Sequence, residues 1–267
     1  MSLPALLLDD VARVVAEAAG VSLRDGLERT LSDGLETAAR IAGDPTRAFA
    51  RRVAARDPDA IAILVEHVVV SETAFWRHPE QLAAIGRLAA SAPEPLAVWS
   101  AGCASGEEPF SVAMALLEAG RPAGRDRILA TDVSARALAA GREGVYGVRS
   151  LRKLPPDLAA RWFDGATERR VRPEVRALVT FERHNVAADP VPAGPFDLVL
   201  CRNVLIYFDP RPAAAVVARL AGALRPGGVL VLGPVELSLA SGAGLEWVED
   251  GGATLLRRPG AAAAPER

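Results

Sequence analysis

The sequence predicts an α/β fold in which a small all-helical domain precedes a mostly parallel, doubly wound sheet. Up to about residue 95, apolar residues recur at spacings of three and four, as they do in amphipathic helices. From residue 96, short apolar runs alternate with helical segments, and this alternation is typical of parallel strands covered on both faces by helices. The two patterns divide the chain into a helical part and a sheet-containing part.

The first part is predicted to be helical from about residue 9 to residue 90. Gly20 fits the C-terminal cap of the first helix, because glycine readily adopts the left-handed conformation that ends many helices. Two runs of apolar residues each share one helix face: Val11, Val14, Val15 and Ala18, and then Leu23, Leu27, Leu31 and Leu35. We assign residues 1–70 to the helical domain and residues 71–95 to a linker that contains a further helix.

The second part, residues 96–258, is predicted to alternate strands and helices. The predicted strands span residues 96–100, 127–131, 181–184, 196–201, 229–233 and 252–257. The predicted helices span residues 109–119, 134–142 (with Ser134 as N-cap) and 212–224, which ends at Pro226-Gly227-Gly228. Between Val145 and Thr180 the alternation is interrupted, and we predict an inserted antiparallel β-subdomain over about residues 147–180. Residues 259–267 are predicted to be a disordered tail.

Composition excludes several classes of function. The 267 residues are 50% hydrophobic with a formal net charge of −2, which is typical of a globular protein with a sizeable core and gives no support to nucleic-acid binding. No run of about 18 apolar residues is present and no basic leader opens the chain, so we expect no membrane insertion and a cytoplasmic location. Cys103 and Cys201 form neither a metal-binding spacing nor a disulfide framework, and no metal site is expected.

A glycine-containing loop follows the first predicted strand, with Gly102 and Gly106 before the carboxylates Glu107 and Glu108. Glycines at a strand-to-helix turn let a ligand approach the backbone closely. The carboxylates argue against a phosphate ligand, and the Gly-Lys-Ser/Thr of a phosphate-binding loop is absent. The loop therefore favours a ligand that carries positive charge. S-adenosylmethionine is such a ligand, although the loop alone allows several nucleotide cofactors.

Further polar residues follow other predicted strands: Asp132, Asn185 and Asn203. In a doubly wound sheet, ligands bind in the crevice at the carboxyl ends of the strands, where these side chains would converge. Asp132 suits a ribose diol, because a carboxylate accepts hydrogen bonds from both hydroxyls. The alternative is a turn or N-cap aspartate. Glu107 and Glu108 also have an alternative role, since acidic residues complement the dipole of a helix at its first turn.

Five motifs strengthen this interpretation by their order and spacing: Ser71-Glu-Thr-Ala-Phe-Trp-Arg77, Ile128-Leu-Ala-Thr-Asp-Val-Ser134, Ala140-Gly-Arg-Glu-Gly-Val-Tyr146, Phe196-Asp-Leu-Val-Leu-Cys-Arg-Asn-Val-Leu-Ile-Tyr-Phe-Asp209 and Leu224-Arg-Pro-Gly-Gly228. Over roughly residues 10–258 the chain resembles the CheR family of chemoreceptor glutamate methyltransferases. The run from Cys201 to Phe208 is the most specific part of this resemblance.

The resemblance implies a Rossmann-like S-adenosylmethionine methyltransferase domain with a small inserted β-subdomain, behind an all-α N-terminal domain. It implies glutamate methyl esters and S-adenosylhomocysteine as products. It places Arg77 and Tyr207 at the reacting centre as catalytic residues; the alternatives are a salt bridge for Arg77 and a core aromatic for Tyr207. It also implies a set of cofactor-binding residues: Ser71, Thr73, Arg77, Gly102, Glu108, Asp132, Asn185, Val186, Arg202 and Asn203.

The implied partner is the cytoplasmic part of a chemoreceptor or a similar signalling protein, and we expect a monomer. Two alternatives stay open: a non-catalytic S-adenosylmethionine-binding signalling module, and a methyltransferase for a small carboxylate. The substrate-docking half departs from the family, because only Arg29 and Arg40 are basic in the second helix, where the family carries several Lys and Arg residues. The inserted subdomain is also short, so we expect no tethering to a receptor tail peptide.

Two departures fall near the expected cofactor site. Ser71 stands where the family usually has Asn, and a serine hydroxyl lacks the two-ended amide. Pro234-Val235 stands where the family commonly has His-Ser, which is expected to alter the rim of the site.

Overall fold

The computed structural model describes residues 3–22, 28–92 and 94–260. Within these residues the N-terminal part is all-helical, as predicted: α1 (Ala5–Ala19), α2 (Glu28–Ala42), α3 (Thr46–Ala54), α4 (Pro58–Val68) and α5 (Pro79–Ser91). The predicted face positions of Leu23 and Leu27, and most of the predicted tail (residues 261–267), lie outside the described residues.

Helices α1 to α4 pack around their own core, which includes the fully buried Val15, Leu35 and Phe49. Gly20 ends α1 in the left-handed conformation with a φ of 76°, as predicted. Gly34 lies inside α2, where glycine costs roughly 1 kcal/mol relative to alanine. A Cβ at Gly34 would lie 2.7 Å from Cγ1 of Val68, so the glycine allows α2 to approach α4 closely.

The described residues of the second part contain a seven-stranded sheet in the order β6-β2-β1-β7-β8-β10-β9. Its strands are β1 (Ala97–Ala101), β2 (Arg127–Asp132), β6 (Val179–Arg183), β7 (Phe196–Cys201), β8 (Leu224–Leu232), β9 (Glu246–Asp250) and β10 (Ala253–Arg257). The first five of these pair in parallel, whereas β10 pairs antiparallel with both β8 and β9. The predicted mostly parallel α/β sheet is confirmed.

Helices cover both faces of this sheet. The helices of the second part are α6 (Glu107–Glu118), α7 (Ala135–Glu143), α8 (Val148–Leu151), α9 (Pro156–Trp162), α10 (Pro173–Arg176) and α11 (Pro210–Ala223). Successive residues of β1 face opposite sides, so that Val98 packs in a core with Phe110 of α6, and Trp99 in a second core with Leu220 of α11. The sheet is therefore doubly wound.

The insertion predicted after α7 contains a separate small sheet. Strands β3 (Val145–Tyr146), β4 (Phe163–Asp164) and β5 (Arg169–Val171) pair antiparallel in the order β3-β5-β4. Phe75 contacts both outer strands edge-to-face, with ring centroids 4.8 Å from Tyr146 and 5.0 Å from Phe163. The inserted antiparallel β-structure is thus packed against the segment that precedes α5.

Two strands of the large sheet differ from the sequence prediction. Strand β8 begins at Leu224, before the Pro-Gly-Gly run, because Leu224 pairs with Phe196 and the register then shifts before Leu198 pairs with Val229. The sequence pattern placed this strand after the glycines. Strand β9 was not predicted, because it forms the edge of the sheet and its sequence, Glu-Trp-Val-Glu-Asp, is mostly polar and largely exposed.

The helical part is joined to the sheet through Glu66 of α4. One carboxylate oxygen accepts a hydrogen bond from the Ser134 hydroxyl (2.5 Å), and the other accepts one from the amide N–H of Ala135 (2.6 Å). Ser134 is the N-cap of α7, as predicted, and its hydroxyl accepts from the N–H of Ala137. A carboxylate from one part of the chain therefore completes the N-terminal cap of a helix in the other.

Replacing Glu66 with alanine is expected to lower the free energy of unfolding by about 1–2 kcal/mol, because it leaves N–H groups at the start of α7 without acceptors. Urea denaturation followed by circular dichroism would measure the change. Glu143→Ala is the matched control, since it removes an exposed carboxylate from the opposite end of the same helix. Equal stability of the Glu66 and Glu143 variants would contradict the capping role.

Candidate functional site

The strand order reverses at β1, which lies between β2 and β7, and this reversal opens a crevice at the carboxyl ends of the strands. One pocket occupies the crevice. All the residues predicted to bind a cofactor or to catalyse line it: Ser71, Thr73, Arg77, Gly102, Glu108, Asp132, Asn185, Val186, Arg202, Asn203 and Tyr207. The predicted convergence of these side chains is therefore observed, while their individual roles stay predictions.

The glycine loop forms the floor between β1 and α6. The amides of Gly102 and Cys103 both donate to the Thr131 carbonyl, at 2.7 and 2.9 Å, which fixes the loop against β2. Gly102 has a φ of 76°, and a Cβ there would lie 2.5 Å from Cγ2 of Val204. The requirement for glycine thus comes from the approach of the loop after β7, a reason that the sequence did not reveal.

The two adjacent carboxylates differ in environment. Glu108 lines the pocket, whereas Glu107 accepts from the Ser105 hydroxyl at 2.6 Å and is not part of the pocket wall. One oxygen of Glu108 accepts from the Ser100 hydroxyl at 2.7 Å, and the other lies 3.2 Å from Nη1 of Arg202. Burial raises the pKa of the Glu108 carboxyl, and the Arg202 charge opposes that rise. Glu108 is therefore a largely buried carboxylate paired with one buried cation, Arg202.

Asp132 ends β2 and joins two neighbouring loops. One of its oxygens accepts from the N–H of Ala104 (2.8 Å) and the other from the N–H of Ser134 (2.9 Å). Burial raises the pKa of Asp132, while these two hydrogen bonds oppose the rise. It is thus a turn aspartate and also part of the pocket wall. Each carboxylate oxygen retains capacity for a further hydrogen bond from a ligand.

The two asparagines of the pocket also differ. Asn185 donates from Nδ2 to the carbonyl of Ala18 at 2.7 Å and accepts from the N–H of Ala187 at 2.9 Å, so its amide holds the end of α1 against the sheet. Asn203 has a φ of 59°, and within the described residues its buried Oδ1 atom has no hydrogen-bond partner. A buried acceptor that faces no protein donor fits a ligand that carries N–H groups.

Arg77 and Tyr207 lie at the same pocket. The carbonyl of Arg77 accepts from Nη2 of Arg202, whereas its own guanidinium has no hydrogen bond or ion pair with any residue that the structure describes. Tyr207 lies on a 3₁₀ segment, Leu205–Tyr207, and its carbonyl accepts from the N–H of Ser22 at 2.7 Å. Burial raises the pKa of Tyr207, and the nearby charge of Arg77 opposes the rise.

Sequence reasoning missed part of the wall. Ala19 and Val21, at the end of α1, and Val69 and Val70, after α4, line the pocket together with the sheet loops. These residues are apolar and carry no motif, so only the tertiary packing identifies them. Sequence reasoning also missed the buried Glu236, which lies behind the pocket and contacts the loop after β7.

Cys103 and Cys201 are buried in the cores, and burial raises the pKa of both thiols. We expect both to react with a disulfide reagent at pH 8 at less than about a tenth of the rate in the unfolded chain, because thiolate formation and access are both suppressed. Absorbance at 412 nm with and without urea would measure this. Rapid labelling of the native protein, confirmed by mass spectrometry, would contradict the described burial.

The described part of the chain contains neither a group of metal ligands nor a membrane-spanning helix. Within it, no three His, Cys, Asp or Glu side chains form a group that could hold a metal ion. No helix there is both long and apolar enough to cross a bilayer.

The family model described as CheR methyltransferase, SAM binding domain, matches residues 71–242. The chain belongs to the CheR methyltransferase family. The matched range contains every predicted cofactor residue and both predicted catalytic residues, so the resemblance seen in the motifs is confirmed. The part of the pocket wall that comes from the end of α1 and the end of α4 lies outside that range.

Curated relatives agree with this membership. The chain is 38% identical to the probable biofilm formation methyltransferase WspC of Pseudomonas aeruginosa over 198 residues, which are 71% of this chain and 47% of that protein. It is 36% identical to chemotaxis protein methyltransferase 2 of the same species over 191 residues, 68% of each chain. It is 37% identical to the chemotaxis protein methyltransferase of Vibrio parahaemolyticus over 69% of this chain and 71% of that one. The chain thus spans about half the length of the WspC protein.

Proposed function

We propose that this CheR-family protein transfers a methyl group from S-adenosylmethionine to glutamate side chains of a chemoreceptor or related signalling protein. The observation that carries the proposal is the Arg77 guanidinium, which pairs with no described residue, in the wall of a pocket lined with carboxylates and an unpaired acceptor. Acceptors suit a cationic cofactor, and a free guanidinium suits a carboxylate substrate. The chemotaxis and biofilm methyltransferases that the chain resembles support the same conclusion.

Residues of the pocket wall are placed to hold the cofactor. Asp132 can accept from ribose hydroxyls, and Glu108 and Oδ1 of Asn203 can accept from an ammonium group. Asn185 and Val186 lie at the next strand end, where a base would be enclosed. Among the described residues that line the pocket, carboxylates outnumber guanidinium groups, which is the balance that a positively charged ligand requires.

The chemistry needs few groups from the protein. When bound, S-adenosylmethionine would supply a methyl group on a positively charged sulfur. A carboxylate oxygen would bond to the methyl carbon in line as the carbon–sulfur bond breaks, and S-adenosylhomocysteine would leave. A glutamate carboxylate is ionised at neutral pH, because its unperturbed pKa is about 4.3, so no general base is required. We infer that Arg77 holds this carboxylate bidentately and that Tyr207 orients one of its oxygens. The protein therefore contributes alignment and partial exclusion of water.

The proposal extends to the location and the assembly of the protein. A chemoreceptor substrate would be methylated on its cytoplasmic part, so we propose a cytoplasmic enzyme, and we propose that it acts as a monomer. The basic residues of α2 are few, namely Arg29 and, in its last turn, Arg40. Docking of a receptor is therefore expected to depend less on basic residues of α2 than the family pattern implies.

The test is incubation of the purified protein with methyl-labelled S-adenosylmethionine and lysate of the source organism. A labelled protein band that loses its label in mild base is expected, because glutamate methyl esters hydrolyse to methanol. Binding of S-adenosylhomocysteine without transfer would instead favour the non-catalytic binding module. Label in the small-molecule fraction alone would favour a methyltransferase for a small carboxylate.

A further inference from the structure

Glu236 is a buried carboxylate behind the pocket, with 1% of its surface exposed. One oxygen accepts hydrogen bonds from the amides of Asn203 (2.7 Å) and Gly233 (2.8 Å). The other accepts from the amides of Leu205 (2.7 Å) and Ile206 (3.3 Å). Across the described ranges, no Lys, Arg or His lies within ion-pair distance of it. Backbone dipoles alone therefore compensate the carboxylate.

These bonds fix the loop that follows β7. Three of the four donors, at Asn203, Leu205 and Ile206, belong to this loop. The loop contains a residue with positive φ, Asn203, and ends in the short 3₁₀ segment that carries Tyr207. A left-handed asparagine followed by a three-residue 3₁₀ turn has little stability of its own. One carboxylate thus connects the conformation of Asn203 with the placement of Tyr207.

The backbone at Gly233 leaves room for this carboxylate. A Cβ at Gly233 would lie 2.5 Å from Oε2 of Glu236 and 3.1 Å from the amide nitrogen of Asn203. Pro234 begins the 3₁₀ segment Pro234–Ala240, which places Glu236 three residues after Gly233 and directs its side chain back to the Gly233 amide. The spacing Gly-Pro-Val-Glu therefore delivers a carboxylate to a loop about thirty residues earlier in the chain.

Packing alone does not explain a carboxylate at this position. Burying a charge without a cationic partner is costly, and an apolar side chain of similar volume avoids that cost. What an apolar residue cannot do is accept four hydrogen bonds that pin two parts of one loop. The buried carboxylate is therefore explained by the hydrogen bonds with which it holds the loop after β7 in one conformation.

We propose that Glu236 is a positioning residue that holds Asn203 for the cofactor and Tyr207 for methyl transfer before either ligand binds. The part of this inference that concerns Tyr207 rests on the proposed function. The part that concerns Asn203 is measured by cofactor affinity in the absence of any methyl acceptor, so it is testable even if the substrate is misidentified.

The direct test is Glu236→Gln, in which an NH₂ group faces two of the backbone donors. We expect calorimetry to show at least tenfold weaker binding of S-adenosylhomocysteine. In the transfer assay we expect a higher KM for S-adenosylmethionine and a lower kcat at saturating cofactor. Glu236→Asp keeps both acceptors on a shorter stem and is expected to recover part of the affinity. Glu246→Gln, an exposed residue of β9, is the matched control with wild-type binding.

A purely structural role predicts a different result. Glu236→Gln would then melt at a lower temperature, yet its folded fraction would bind S-adenosylhomocysteine with wild-type affinity and turn over at the wild-type kcat. That outcome would overturn the proposal. If wild-type protein binds the cofactor product but methylates nothing, the proposed function fails while the affinity comparison still decides the role of Glu236.

Hydrogen exchange on the wild-type protein supplies a measurement that does not depend on a variant folding. We expect peptides that cover residues 201–207 to be protected in the free protein, with little further protection when S-adenosylhomocysteine is added. Protection that arises only on adding this ligand would show that the loop is not held in advance, and would overturn the proposal.

Discussion

Replacing Arg202 with methionine is expected to lower the free energy of unfolding by about 3–5 kcal/mol, as removal of one partner from a buried ion pair generally does. The Arg202 side chain is 2% exposed and the Glu108 side chain 12% exposed, so water replaces the lost partner only in part. Arg202 also donates to the carbonyl of Arg77, and that support would be lost as well. Equilibrium urea denaturation, followed by fluorescence and circular dichroism, measures the change.

The double variant Arg202→Met/Glu108→Gln separates the charge effect from the loss of packing. With both charges removed, no buried carboxylate is left unpaired, so the double variant is expected to be more stable than the sum of the two single changes predicts. Cofactor binding should still be weak, because Glu108 lines the pocket. An Arg202→Met protein within about 1 kcal/mol of wild type would contradict a buried, compensated ion pair.

Replacing Arg77 with alanine is expected to reduce methyl transfer at least tenfold, which corresponds to about 1.4 kcal/mol of lost transition-state stabilisation. The guanidinium is proposed to bind the glutamate carboxylate, and no other described residue pairs with it. For the same reason the free energy of unfolding should change by less than about 0.5 kcal/mol. Arg77→Lys keeps the charge but loses the planar fork, so an intermediate rate is expected. Incorporation of labelled methyl groups into protein of the lysate measures the rate.

An exposed arginine provides the control for this experiment. Arg211→Ala, in the first turn of α11, removes a cation of the same size away from the pocket and should leave transfer unchanged. Wild-type turnover from Arg77→Ala would remove this residue from the proposed mechanism. A large loss of stability in that variant would instead favour the alternative of a structural salt bridge.

The sequence predicted those elements whose signal is local. Strands β1, β2 and β7 each contain a short apolar run, because both of their faces are largely buried, and their positions were predicted within a residue or two. Strand β9 was missed because an edge strand with one pairing partner tolerates a polar sequence. The convergence of the site residues followed from motifs that end parallel strands, since the topology brings those ends together.

The parts of the site that the sequence did not predict depend on distant contacts. Glu236 contacts amides about thirty residues away, and no local pattern distinguishes it from an ordinary carboxylate near a helix start. The role of Gly34 was likewise hidden, because the reason for a glycine inside α2 lies in the side chain of Val68 on α4. Such requirements are visible only once the elements are packed.

Ala19 and Val21 form a part of the pocket wall that lies outside the matched methyltransferase domain. The family model begins at residue 71, yet α1 encloses the pocket from outside that range, and its end is tied down by Asn185 and Tyr207. A fragment cut at the boundary of the matched domain would keep every motif and lose one side of the enclosure. The helical part of the chain is therefore expected to contribute to retention of a bound cofactor, because its first helix closes one side of the pocket.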